Sequence, residues 1–406
     1  MKSKYFCYLI FLCCLYTPAC KKDERIKNSF VKISWSSNDE NCLGAFLLSD
    51  GSCLLYGYDF TDSYSTVISR FDSNGNILFR KKLWYSVMSA AITKNDELVL
   101  LTQSPSWTLN FNDSRLSAWD KNMNQVWEIP LENFNTGSVA SDNNNIFTYY
   151  LKGSAAAGNM ICRKFSLGGS LVDSAEFDYG NFQPDIQKVI TDDLGNCYLT
   201  GYYGDATGFS PGDVPLCMKI SSSPGFNISW TKNVGDSLLH DVGMDICLAQ
   251  NNHVYVAGTI GSTTTSSLST KNQGYLLEPY GKIFVNEYDA AGDFFGQKIF
   301  NNYSGEAYVS SIRQTADGGF IICGTVNLTL GLQQDQKLYS KMYLLKVDAN
   351  LREQWSKTFP VTCSQGADAF QTADGGYIIC GSAKSFGAIE SRSNFIVIKT
   401  DANGNY

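Results

Sequence analysis

Histidine is nearly missing from this chain: two occur in 406 residues. A histidine-based zinc site or a Ser–His–Asp triad would rest on His240 alone, because His253 stands in a repeated turn where other copies carry glycine. Asp241 and Asp245 flank His240, so the only constellation on offer is "LLHDVGMD". Clustered basic residues are missing too. With a net charge of −7 and no long run of Lys or Arg, the chain lacks the footprint that nucleic-acid phosphate requires. The N-terminal apolar run, "YFCYLIFLCCLY", is too short to span a bilayer as a mature helix. No glycine-rich loop precedes a helix start, so phosphate cradles are excluded as well. No cofactor or metal is expected.

What is present favours strands. The chain is 44% hydrophobic, 13% aromatic and 17% charged, with 35 glycines and few helical apolar stripes. Such a length buries a large core in one big domain or two ordinary ones.

Residues 1–19 read as a signal peptide. "MKSK" is a basic leader, the apolar run follows, and "TPAC" ends at Cys20. The stretch resembles a bacterial lipoprotein signal, in which Cys20 becomes the lipidated first residue. An ordinary secretory signal with an incidental cysteine is the alternative. Residues 20–28 then form the lipidated cysteine and a polar tether. "CKKDE" resembles the lysine-plus-acid signal that exports Bacteroidetes lipoproteins to the cell surface. The resemblance implies an outer-membrane lipoprotein exposed at the cell surface, with the membrane as a partner through its lipid anchor.

Two stretches are near twins: "QTADGGFIICG" (314–324) and "QTADGGYIICG" (371–381). Five weaker copies begin at residues 48, 93, 141, 191 and 249. Each is a polar turn followed by β-favouring residues. Each copy is followed by a strand, an Asp/Asn/Gly turn, and a strand carrying Trp or Phe, as in "YLLKVDANLREQWSKTF" (343–359). Every unit therefore holds four antiparallel strands. Seven such units spell an all-β fold, a seven-bladed β-propeller over residues 29–406. The last unit stops after "FIVIKTDANGNY", one strand short, while "SFVKISWSS" (29–37) is an orphan strand. The N-terminal strand is expected to complete the last blade and close the ring. Nine cysteines follow Cys20, several in equivalent strand slots, and read as small buried thiols.

The repeats resemble a family of secreted bacterial propellers whose units read QT-DGGY-IIxG, then DxNGN and W-x-K-T-F. Here the carriers are Gln314–Gly324, Gln371–Gly381, Asp348–Phe359 and Asp401–Asn405. The resemblance implies a propeller in extracellular use. It brings no catalytic residues.

The turns "DSNGN" (72–76) and "DANGN" (401–405) place oxygen ligands at alternate positions, as a calcium loop does. Gly75 and Gly404 precede the third ligand instead of following it, so they read as hairpin turns. Asp317 and Asp374 are expected to cap their own turns. Paired carboxylates for glycoside hydrolysis cannot be selected from 39 acids.

Loop length carries the functional signal. The links between second and third strands lengthen in the last four units, at 202–215, 259–282, 325–342 and 382–394. All leave one face of the ring, the expected binding face. They hold Tyr202, Tyr203, Phe209, Tyr275, Tyr280, Tyr339 and Phe386, and an earlier link adds Trp107 and Phe111. Aromatic rings among amides and hydroxyls suit a glycan or an envelope-protein ligand. A binding or scaffolding propeller is the leading expectation. The alternatives are a polysaccharide lyase or hydrolase with an acidic central pocket, and a structural subunit of an outer-membrane complex.

Overall fold

The computed structural model describes residues 29–34, 36–62, 65–104, 113–134, 136–154, 157–179, 182–205, 214–235, 240–262, 281–328, 340–359, 361, 363–384 and 392–406. Among them, 28 strands form seven four-stranded antiparallel sheets, the blades of a propeller. The first strand of each unit lines the axis. These inner strands are Glu40–Leu47, Ser86–Ile92, Gly137–Ser141, Phe182–Thr191, His240–Leu248, Glu306–Gln314 and Ser364–Gln371, numbered here as blades 1 to 7. No helix among the described residues is long and apolar enough to cross a membrane.

Each blade is sandwiched between two others, so its second strand is buried on both faces. That is why "CLLYG" and "FIICG" are nearly continuous apolar runs. Outer strands face solvent and are the most exposed, as in Leu171–Asp178.

Blade 7 is completed from the other end of the chain. Phe30–Ile33 pairs antiparallel with the third strand, Phe30 opposite Lys399 and Ile33 opposite Ile396. The match extends to side chains. In three blades the outer strand's tryptophan lies over a glycine in the next blade's turn: Trp127 on Gly169, Trp230 on Gly292, Trp355 on Gly404. At the seam between blades 7 and 1, Phe30 takes the tryptophan's place over Gly75. A Cβ added to Gly75 would sit 2.3 Å from that ring, and its φ of 78° is the left-handed region where glycine is at ease.

The twin motifs are explained position by position. Gln371 accepts the Ala316 amide of the preceding blade at 2.7 Å, and Gln314 accepts the Gln250 amide at 3.0 Å. The glutamine therefore ties blade to blade. Gly324 and Gly381 close the motif because a Cβ there would lie about 2 Å from the inner-strand carbonyls of Tyr308 and Gln365. Asp317 accepts the amide of its own turn at Gly319, as expected, and also the hydroxyl of Thr315. The pattern did not reveal its third partner, Lys346 from the third strand, at 2.9 Å and almost wholly buried. Lys399 repeats this pairing on Asp374, and Arg70 on Asp50. The outer turns are hairpins: Asp72 accepts the amides of Asn74 and Asn76 and the Asn76 side chain, and Asp401 does the same with Asn403 and Asn405. All nine cysteines beyond Cys20 are free thiols, eight of them buried.

One boundary differs from the sequence reading. The second strands run further into the long links, to Asp205, Ser262, Leu328 and Lys384, and the third strands begin at Val214, Lys282, Lys341 and Ser393. The ladder continues because residues such as Tyr203 and Ile260 still find partners, opposite Val214 and Lys282.

Two outcomes follow from these contacts. Deleting residues 29–36 should lower the thermal midpoint by many degrees, and Phe30→Ala should cost about 2 kcal/mol, below the range for a fully buried ring. Unchanged melts would contradict the seam. Burial alone would raise the Asp317 carboxyl, but hydrogen bonds from Thr315, Lys346 and Gly319 outweigh it and bring it to about 2. An unfolded aspartate titrates near ~3.9. Its contribution is thus complete above about pH 4 and lost as pH falls through about 2. Melts taken across that window should fall less steeply for Asp317→Asn than for the parent.

Candidate functional site

Inner strands in six of the seven blades carry a bulge, and all six bulged residues line one cavity on the ring axis. They are Leu43, Met88, Gln187, Met244, Ser310 and Ala367. An extra residue bends the strand and re-aims its neighbours. In two blades the residue after the bulge, Ser89 or Asp245, reaches to the next blade, and blade 3 places Ser138 at the matching position. Ser89 accepts the amide of Val139, Ser138 in the unbulged blade 3 accepts that of Val189, and Asp245 accepts that of Ile312. This belt of acceptors ties inner strands together around the axis. Lys188 is the exception, a cation where those blades place an acceptor.

Charge gathers on one side of the belt. Arg313 donates to Asp245 through Nη1 and to Asp368 through Nη2, the latter at 2.9 Å. One guanidinium thereby joins blades 5, 6 and 7. Both carboxylates are buried, with side chains 2% and 6% exposed. Asp368 also accepts the Ala369 amide. The second oxygen of Asp245, Oδ1, is buried and has no partner. Burial raises the Asp368 carboxyl, with Arg313 opposing. Burial lowers the Lys188 ammonium, opposed by Asp245 and Asp368. For Arg313 burial works towards loss of the proton, and the two aspartates overcome it. Lys188 keeps some accessible surface only because it faces the cavity. The cavity volume is about 90 Å³. At 10–15 Å³ per water centre, that is room for roughly six waters.

A second, larger hollow of about 260 Å³ lies between blades 5 and 6 on the face from which the long links leave. Asn302, Tyr303, Ser304, Asn327, Lys341 and Tyr343 line it. Tyr303 is held in place by accepting the Ile283 amide and donating to the Phe300 carbonyl, and its ring meets Tyr343 edge-on at 5.6 Å.

Of the aromatic residues read from the sequence, Tyr202 and Tyr203 lie in the second strand of blade 4, within Cys197–Asp205, not in a loop. Tyr202 donates its hydroxyl to Asp185 at 2.8 Å, which fixes it at the top of the inner strand. Trp107, Phe111, Phe209, Tyr275, Tyr280, Tyr339, Phe386 and Cys20 lie outside the described residues. The "LLHDVGMD" group is divided: Asp241 accepts the Gly261 amide, while Asp245 turns to the axis and Arg313. His253 pairs with Glu287 at 2.7 Å and packs on Phe295.

Sequence reasoning missed Lys188, Arg313 and Asp368. A signal was available. Each is a charged residue in an inner strand, and Arg313 stands just before the repeat where its twin has Phe370.

Breaking the axial bridge should be costly. Arg313→Ala leaves two buried carboxylates uncompensated, which should destabilise by about 3–5 kcal/mol in urea unfolding. Neutralising the whole group with Arg313→Met, Asp245→Asn and Asp368→Asn should recover most of that loss. A wild-type midpoint for Arg313→Ala would remove the bridge from the account.

No protein-family model matches this chain, and no curated protein matches it. Solved structures do. One is YCF48 bound to D1 peptide, 8% identical with a TM-score of 0.51, the likeness covering 92% of this chain and 95% of that one. Another is the endosialidase of phage phi92, 10% identical with a TM-score of 0.50, covering 92% of this chain and 69% of that one. At such identities the likeness is one of fold, and the fold is the seven-bladed β-propeller.

Proposed function

We propose that this protein is a binding or scaffolding propeller, tethered to the outer membrane through a lipidated Cys20 and presented at the cell surface, with a glycan or an envelope protein as its ligand. The observation that carries this reading is the division of labour between the two hollows. At the axis, Arg313 occupies Asp245 and Asp368 within a small cavity. The hollow between blades 5 and 6 is larger, and offers rings, amides, hydroxyls and two cations, Lys341 and Lys357, on the link-bearing face. Those groups suit the faces and hydroxyls of a sugar.

One observation favours an enzyme as the second reading. Lys188 and Asp368, both with shifted protonation, converge on the axis beside the unpartnered oxygen of Asp245. Perturbed groups in a cleft are a common mark of a catalytic site, and the enzyme reading expected here is a polysaccharide lyase or hydrolase.

A glycan array probed with the full chain separates the two. Binding should weaken at least tenfold in Asn302→Ala and Lys341→Ala and persist in Asp368→Asn, with no turnover of the bound glycan. Turnover that is lost in Asp368→Asn would overturn the binding reading. Labelling with an alkyne fatty acid should mark the parent and not Cys20→Ala, and the variant should leave the membrane fraction.

A further inference from the structure

The first and last blades meet through two cysteines. Cys53 opens the second strand of blade 1, and Cys380 is the fourth residue of the second strand of blade 7. Their sulfurs are 3.4 Å apart, and both side chains are buried. The register makes this a repeated contact. At five other junctions, residues at these positions or one place beyond them come together in one core cluster. The pairs are Tyr56 with Leu98, Leu101 with Ile146, Tyr149 with Cys197, Ala257 with Phe320, and Cys323 with Tyr377, each sharing one core cluster. At the sixth junction the same strand positions are held by Thr200 and Val254. Only the seventh joins two thiols, and it lies between blade 1 and the blade that the two ends of the chain share.

We propose that Cys53 and Cys380 are a modification site: a disulfide that locks the ring when the chain folds in an oxidising compartment. The sulfurs need approach by only about 1.4 Å to reach bonding distance. In the step, each thiol loses one proton and one electron and a sulfur–sulfur bond forms. A disulfide oxidant such as glutathione disulfide is cleaved to two thiols. A thiolate is the attacking species. Burial pushes the Cys380 and Cys42 thiols well up in the finished ring, so the exchange belongs to the stage before blades 7 and 1 close. A bond between residues 327 apart constrains the unfolded chain strongly. The bond is assigned to Cys53 and Cys380, and not to nearby Cys42 or Cys323, because theirs are the sulfurs shown in contact. The inference rests on the chemistry of the seam and not on the identity of the ligand. The oxidant's presence in the cell does rest on export.

The full chain would be refolded from urea with either glutathione redox buffer or excess reductant. Peptide mapping after alkylation should find one Cys53–Cys380 cross-link in the oxidised sample alone. Its thermal midpoint should exceed the reduced one by roughly 5–10 °C. Cys53→Ser and Cys380→Ser should each abolish the oxidant-dependent gain, and Cys363→Ser should keep it. A folded oxidised protein without this cross-link would overturn the proposal, as would a different pairing or a cross-link that leaves the midpoint unmoved. If the refolded protein carries the cross-link but the protein taken from cells does not, the chemistry stands and the export reading fails.

Discussion

A ring of sheets is stable only if its two ends meet. Seven blades each bury both faces against neighbours, so an open array would leave two large apolar faces and two unpaired edges in water. The pairing of Phe30–Ile33 with Ile396–Lys399 removes that liability. Everything else inherits its geometry from closure. The axis exists because the inner strands converge, and the link-bearing face exists because antiparallel blades send alternate connections to alternate ends. Phe30 over Gly75 shows that the seam copies the contact used elsewhere by tryptophan and glycine.

At the axis, bulges turn one residue inward in six of the seven inner strands. Ser89 and Asp245, each following a bulge, and Ser138 in the unbulged blade then accept the next blade's amides. The charged part of this belt is held at a desolvation cost that attraction to Arg313 offsets. A bridge of this kind favours one register of blades 5, 6 and 7 over its alternatives. It also leaves one buried oxygen of Asp245 without a partner, with Lys188 lining the same cavity.

Much of this was legible in the residues. The twin QTADGG motifs, the DxNGN turns and the orphan strand at 29–37 were enough to count blades and close the ring, because turn chemistry and strand pattern are local. The belt was not legible. Whether Asp245 faces the axis depends on a bulge one residue away, and a one-residue shift sends a side chain to the opposite face. Tyr202, read as a loop aromatic, is seated in a strand against Asp185 because the ladder runs further into the link than the pattern suggests. Arg313 escaped notice because its near-identical motif begins one residue later. Nothing in the repeat pattern marks Lys346 and Lys399, and only the fold brings them onto Asp317 and Asp374.

Ring closure by the N-terminal strand is the claim on which the account depends, and amide hydrogen exchange tests it most directly. Peptides spanning residues 29–34 should exchange as slowly as those of Glu353–Thr358, the equivalent outer strand of blade 6. Immediate exchange of residues 29–34, with the rest of the ring protected, would contradict it.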